Sequence, residues 1–291
     1  MTEDETTAEF DSGELAQGWE ALEGSLSPTV WAEVSWAART DIGRVRDHNE
    51  DKFDFFLPED TAALARRGRL WAVADGMGGH KGGQIASEFA LKTLVRSYYA
   101  PGGEREIEKA LTRAVADANA LVTQAAEKIG AKNDMGTTLV CAILWGDTLT
   151  IAHVGDSRAY LLREGDRVRP LTTDHSWVEE QVRRGNLTRP EAEASPYRNV
   201  ILRSIGMGDG MDADVSSEKV FPGDVVLLAS DGLTGYLDGD PLAAFLAGKS
   251  PSRAALELID AANDAGGKDN ITALILRIDS IRATSQGAGA S

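Results

Sequence analysis

Short apolar runs bounded by glycine, aspartate and asparagine recur along the chain. They predict strands near 34–39, 52–57, 70–74, 137–145, 148–154, 158–163, 225–229 and 271–278. Residues 148–163 read as a hairpin that turns at Gly155-Asp156. Apolar positions at helical spacing, such as Ile107, Leu111, Ala114, Val115, Ala118 and Val122, predict helices over about 83–99 and 105–129. A third helix falls near 253–265, stopped by Gly266-Gly267. Strands and helices are grouped rather than strictly alternating, which indicates an α+β fold with mainly antiparallel sheets. The pattern places one domain at 35–279. A polar, arginine-rich insertion at about 174–210 interrupts it and reads as a mobile loop beside a functional site. Residues 1–34 read as an acidic N-terminal tail, either disordered or carrying a short docking helix around Glu14–Glu23, and 280–291 as a flexible C-terminal tail rich in Ala, Gly and Ser.

Four aspartates stand where apolar runs start or stop. Asp75 follows Leu70–Ala74, Asp231 follows Val225–Ser230, Asp269 precedes Ile271–Leu276, and Asp51 closes Arg46–Asp51. A strand that ends in a carboxylate holds it rigidly, and several converging carboxylates make an oxygen-only cage. Such a cage suits Mg²⁺ or Mn²⁺ better than zinc.

Charge and composition narrow the function classes. The chain of 291 residues has a formal net charge of −16, and the first Lys or Arg is Arg39, after nine carboxylates. That excludes the basic stripe of a nucleic-acid surface. No stretch approaches the ~20 apolar residues of a membrane helix, and the acidic N-terminus is the reverse of a secretory leader. A single cysteine, Cys141, excludes an intrachain disulfide. Together these features point to a cytoplasmic protein.

Seven short motifs then follow one another in a fixed order. They are Arg46…Asn49-Glu50-Asp51, Asp75-Gly76-Met77-Gly78-Gly79-His80, Gly136-Thr137-Thr138, Gly155-Asp156-Ser157-Arg158, Asp174-His175-Ser176, Ser230-Asp231-Gly232 and Lys268-Asp269-Asn270. In this order they resemble the metal-dependent protein serine/threonine phosphatases of the PPM (type 2C) family, bacterial type, over roughly residues 36–278. The resemblance implies two antiparallel β-sheets packed as a sandwich and flanked by helices. It also implies two Mn²⁺ or Mg²⁺ ions, with a third in some members. Asp75 would bridge the two ions and the Gly76 carbonyl would bind one of them. Asp231 and Asp269 would complete the second site, Glu50 and Asp51 would act through coordinated waters, and Asp156 would reach the third ion. Arg46 would grip the substrate phosphate, and residues 174–205 would correspond to the flap beside the site. The implied reaction is hydrolysis of phosphoserine and phosphothreonine on proteins, by a water held between the ions and aimed in line at phosphorus. Implied partners are phosphorylated proteins, either kinase substrates or the kinase itself, met by a monomer. The alternative is a catalytically inactive module of the same fold that binds phosphoproteins. Met77 stands where many eukaryotic members carry a histidine proposed as general acid.

Residue by residue, plainer readings compete. Asp-Gly alone is a turn signal. Asp156 could cap its turn or pair with Arg158, and Arg46 could pair with Asp47 or Glu50. The four histidines have no mutual spacing of a zinc site. Cys141 lies in a strand-like apolar run and lacks the arginine that a thiol phosphatase needs six residues on, since Asp147 is there.

Overall fold

The computed structural model describes residues 27–78, 82–131, 134–163, 167–208 and 212–283. His80 and most of the N-terminal tail lie outside them. Two five-stranded antiparallel sheets form the centre. The first has the order β1 (Val30–Asp41), β12 (Ile271–Ala283), β11 (Val225–Ala229), β8 (Arg158–Leu162) and β9 (Arg169–Pro170). The second has β10 (Asp214–Lys219), β7 (Thr148–Val154), β6 (Leu139–Trp145), β3 (Arg69–Ala74) and β2 (Lys52–Phe56). A two-stranded ribbon of β4 (Gly76–Met77) and β5 (Gly136–Thr137) sits at the end of β3.

Alternation within each strand builds four layers. On β3, Trp71 and Val73 face the other sheet beside Leu228, Leu274 and Leu276. Leu70, Ala72 and Ala74 face the opposite way, onto α2 (Gly82–Tyr98) and α3 (Ile107–Lys128). On β12, Ile275 and Ala273 face α7 (Asp240–Leu246) and α8 (Pro251–Asp264), while Leu274 and Leu276 face the sandwich interior. Both faces of the central strands are therefore buried, which is why they read as unbroken apolar runs rather than alternating ones.

Several expectations need correction. Residues 148–163 are not a hairpin. β7 pairs with β6 and β10 in one sheet, and β8 pairs with β11 and β9 in the other. The chain crosses between sheets at Gly155, whose φ of 106° and 2.7 Å approach of a would-be Cβ to Thr138 permit only glycine. The true hairpin is β6–β7, turning at Gly146-Asp147. Strand β1 starts at Val30, inside the segment read as tail, because it pairs along its length with β12. For the same reason β12 runs to Ala283, past the boundary read at 279. The insertion at 174–210 carries two short helices, α4 (Trp177–Arg183) and α5 (Arg189–Glu193), capped by Ser176 and by a Thr188–Glu191 box. The sequence reading missed α1 (Thr61–Arg67), α6 (Asp231–Thr234), α7 and β10. The last is an edge strand of sequence DVSSEK with no apolar run to reveal it.

Candidate metal and phosphate site

The six predicted carboxylates come together at one end of the sandwich, delivered by five separate stretches of chain, since Glu50 and Asp51 are neighbours just before β2. Asp75 lies between β3 and β4, and its backbone is clamped on both sides. Its N–H donates to Thr138 Oγ1 (3.0 Å), and its carbonyl accepts from Thr138 N and Thr137 Oγ1, each at 2.8 Å. Thr138 Oγ1 in turn lies 2.7 Å from Ser157 Oγ, so the β7–β8 crossing bearing Asp156 braces the turn bearing Asp75. Gly76 has no room for a side chain, since a Cβ would stand 2.2 Å from Gly83 O and 2.7 Å from Glu50 O.

Asp51 is 1% exposed. Its Oδ2 accepts hydroxyl hydrogen bonds from Ser230 and Thr272, both 2.7 Å. Thr272 has one hydroxyl hydrogen and spends it on the carboxylate, so its 2.8 Å contact with Thr40 is donated by Thr40. Thr40 Oγ1 receives Asn49 Nδ2 at 2.9 Å, which completes a directed chain into the carboxylate. Asp231 begins α6, immediately after Ser230. Asn270 organises the remaining edge. It accepts from Glu50 N (2.8 Å) and donates to the carbonyls of Ile42 (3.0 Å) and His48 (2.9 Å). Arg46 Nη2 donates to Asp269 Oδ2 at 2.7 Å, rather than pairing with Asp47 or Glu50.

The electrostatics are those of crowded like charges. Burial, then the charges of Asp51, Asp231 and Asp156, hold the Asp75 carboxyl well above the usual range. Burial pushes Asp51 up to about 7 against the pull of its two hydroxyl donors. Asp156 rises to about 8 through burial and the charge of Asp231. Asp231 is raised by burial and by Asp269, and Glu50 by burial. Arg46 is raised by its bond to Asp269.

Four buried oxygens of this cluster, Glu50 Oε1, Asp51 Oδ1, Asp156 Oδ1 and Asp231 Oδ1, have no hydrogen-bond partner. Buried acceptors are seldom left unpaired, and ionised neighbours repel unless cations stand between them. An all-oxygen set with orphaned lone pairs fits hard divalent cations. Asp156 does not pair with Arg158, which instead forks onto Asp174 (2.8 and 2.7 Å) and reaches Asp238 (2.7 Å).

One grouping escaped the sequence reading. His153 and His175 stack with centroids 4.5 Å apart, and Asp214 completes a set whose ligand-capable atoms lie within 4.8 Å of one another. Its hydrogen bonds argue against a metal. Gly155 N donates to His175 Nδ1 (3.2 Å), so the neutral ring carries its proton on Nε2, which faces Asp214 at 3.3 Å. The Arg203 guanidinium, 3.1 Å from Asp214, already neutralises that carboxylate. The group is a clasp: His175 N also donates to Gly155 O (2.8 Å), tying the Asp156 turn to the base of the flap. Thr137, Thr138, Ser230, Thr272 and Asn270 were likewise not assigned roles from sequence. Their only signal is position: Thr137, Thr138, Ser230 and Asn270 lie within the motifs, and Thr272 lies in the apolar run just after the last one.

The sequence matches the family model described as protein phosphatase 2C over residues 44–256. It is 38% identical over 242 residues to the serine/threonine phosphatase stp of Listeria innocua, covering 82% of this chain and 93% of that protein. Among solved structures it resembles the S. agalactiae serine/threonine phosphatase at 34% identity and a TM-score of 0.77, covering 85% of this chain and 100% of that one. It also resembles the catalytic domain of the phosphatase PstP in complex with two manganese ions. There the identity is 31% and the TM-score 0.72, covering 85% of this chain and 99% of that one. With the sandwich, the ordered motifs and the carboxylate centre in agreement, the chain belongs to the bacterial-type PPM (protein phosphatase 2C) family of metal-dependent serine/threonine phosphatases.

Proposed function

We propose that the protein hydrolyses phosphoserine and phosphothreonine on other proteins with two Mn²⁺ or Mg²⁺ ions, and a third at Asp156. The observation that carries this reading is the convergence of four buried, unpartnered carboxylate oxygens on one centre. Asp75, the Gly76 carbonyl, Asp231 and Asp269 would hold the ions directly, with Glu50 and Asp51 acting through water. When bound, the cations supply Lewis acidity and lower the pKa of water for attack on phosphorus.

The chain's own residues do the rest. The Thr137-Thr138 clamp fixes the backbone from which the Asp75 carboxylate projects, the kind of outer support that metal centres depend on. Arg46 is half exposed and engages Asp269 through one nitrogen, leaving its planar fork for two phosphate oxygens. Its charge gains effect as negative charge develops on the transferring group. Cysteine chemistry is excluded. Cys141 is fully buried in β6, and burial raises its thiol pKa far from nucleophilic range. The substrates are phosphorylated proteins, among them kinase targets or the kinase itself.

The test is hydrolysis of p-nitrophenyl phosphate and of a phosphothreonine peptide with Mn²⁺, with Mg²⁺ and with EDTA, alongside Asp231→Asn. Metal-dependent turnover that drops at least about 100-fold in the variant is expected. Turnover that survives EDTA, or a variant as active as the parent, would overturn the assignment.

A further inference from the structure

Twelve large hydrophobic side chains stand exposed among the described residues, and six fall in two short segments, 42–45 and 197–207, whose backbones are hydrogen-bonded to residues of the site. Ile42 and Val45, the latter 65% exposed, belong to the loop that carries Arg46. Tyr197, Val200, Leu202 and Met207 belong to the segment that closes the flap. Scattered surface hydrophobics need no explanation. A cluster bordering one polar site does.

Neither segment is a loose loop. Arg44 N donates to Gly267 O (2.6 Å), and Asn270 holds the carbonyls of Ile42 and His48, so the backbone on both sides of Val45 is fixed to the Asp269 edge. On the other side, Thr137 and Ile205 exchange two backbone hydrogen bonds of 2.9 and 2.8 Å, and Thr137 is the residue that clamps Asp75. Leu202 N donates to His175 O at 2.7 Å, and Gly206 N to Asn119 at 2.8 Å. The carboxylate centre is thus bounded by two anchored segments, one tied to Asp269 and one to Asp75, both presenting apolar side chains to solvent.

A small phosphomonoester would engage only the carboxylate centre and Arg46. A polypeptide crossing the same centre would lay the residues beside its phosphorylated side chain on these two segments. We propose that Ile42 and Val45 on one side, with Val200, Leu202 and Met207 on the other, form an apolar rim that receives bulky apolar residues flanking the phosphorylated serine or threonine. The rim rests on the phosphatase reading given above and assigns that site its preferred substrate sequence. Burial of part of one flanking leucine and one valine supports a preference of about 5- to 20-fold in kcat/KM. It is carried by KM, because the flanks do not change between bound substrate and transition state.

The experiment uses the full chain with Mn²⁺ and phosphothreonine peptides that differ only in the two residues flanking the phosphorylated one: leucine, glycine, aspartate or lysine. Leucine flanks are expected to exceed glycine flanks by 5-fold or more, with aspartate lowest. In Val45→Asp the leucine-to-glycine ratio falls towards one and the lysine-flanked peptide gains. Leu202→Asp is a second variant with the same expectation. Hydrolysis of p-nitrophenyl phosphate without any flank preference would overturn the rim alone. Absence of turnover on every substrate would overturn the rim together with the phosphatase reading. A dimer in sedimentation that Val45→Asp dissolves, with flank preference absent, would assign the surface to a second copy of the chain and overturn the proposal.

Discussion

Replacing Thr272 by valine probes how the fold presents Asp51. The substitution keeps the side-chain shape and removes one hydroxyl, which is fully buried and donates to Asp51 Oδ2 at 2.7 Å. Ser230 remains as the second donor to the same oxygen. Thr40 loses its acceptor but is only half buried and can turn to water. A hydrogen bond to a charged group contributes about 1.5–3 kcal/mol. With burial already holding the Asp51 carboxyl near 7, the lost donor raises it further. A cation that needs the ionised form must then displace a more tightly held proton. At about 1.4 kcal/mol per tenfold, the expected loss of Mn²⁺ affinity is roughly 10- to 100-fold, the scale at which outer partners of a metal centre act. The metal-free fold should lose only about 1 kcal/mol. Calorimetric titration with Mn²⁺ at pH 7.5, paired with thermal unfolding in EDTA, measures both quantities. A folded variant whose Mn²⁺ affinity stays within twofold of the parent would refute the claim that this hydroxyl prepares Asp51 for a cation.

The metal-free protein should lose stability as pH rises. Asp51 and Asp156 have folded pKa values of about 7 and 8, above their ordinary 3.8, so their favourable contribution is present below that ordinary value and is lost as pH climbs through 7 to 8. Unfolding temperatures in EDTA should therefore fall between pH 5.5 and 8.5, and saturating Mn²⁺ should remove the fall; a flat or rising metal-free profile would contradict the electrostatic account. At the sheet crossing, Gly155→Ala forces a Cβ to 2.7 Å from Thr138 at a φ of 106°. Urea denaturation should show a loss of about 2 kcal/mol or more, with weaker Mn²⁺ binding because Thr138 also holds Asp75; a loss below 0.5 kcal/mol would show that the crossing relaxes freely.

Much of the candidate site was legible because its carboxylates are tied to local grammar. Asp75, Asp231 and Asp269 each sit at the end of a strand or beside one, and the order of short motifs identified the family that the comparisons later showed. The strands themselves were visible because both faces of the central layers are buried, which produces unbroken apolar runs. Edge strand β10 was invisible for the converse reason: its half-exposed DVSSEK has nothing to mark it.

Pairing was a different matter. Periodicity marks a strand but not its partner, so β7 and β8 looked like a hairpin although they lie in different sheets. Nor could spacing foresee that His153 and His175 would stack, or that Arg46 would reach across 223 positions to Asp269. By itself, then, the sequence determined most of the core strands, the carboxylates that meet in one centre and the family, since each is encoded in a few adjacent residues. Tertiary structure alone decided which sheet each strand joins, which hydroxyls orient Asp51 and Asp75, and which apolar side chains border the site. Those contacts join residues far apart in the chain, and only the packing of one layer on another brings them within reach.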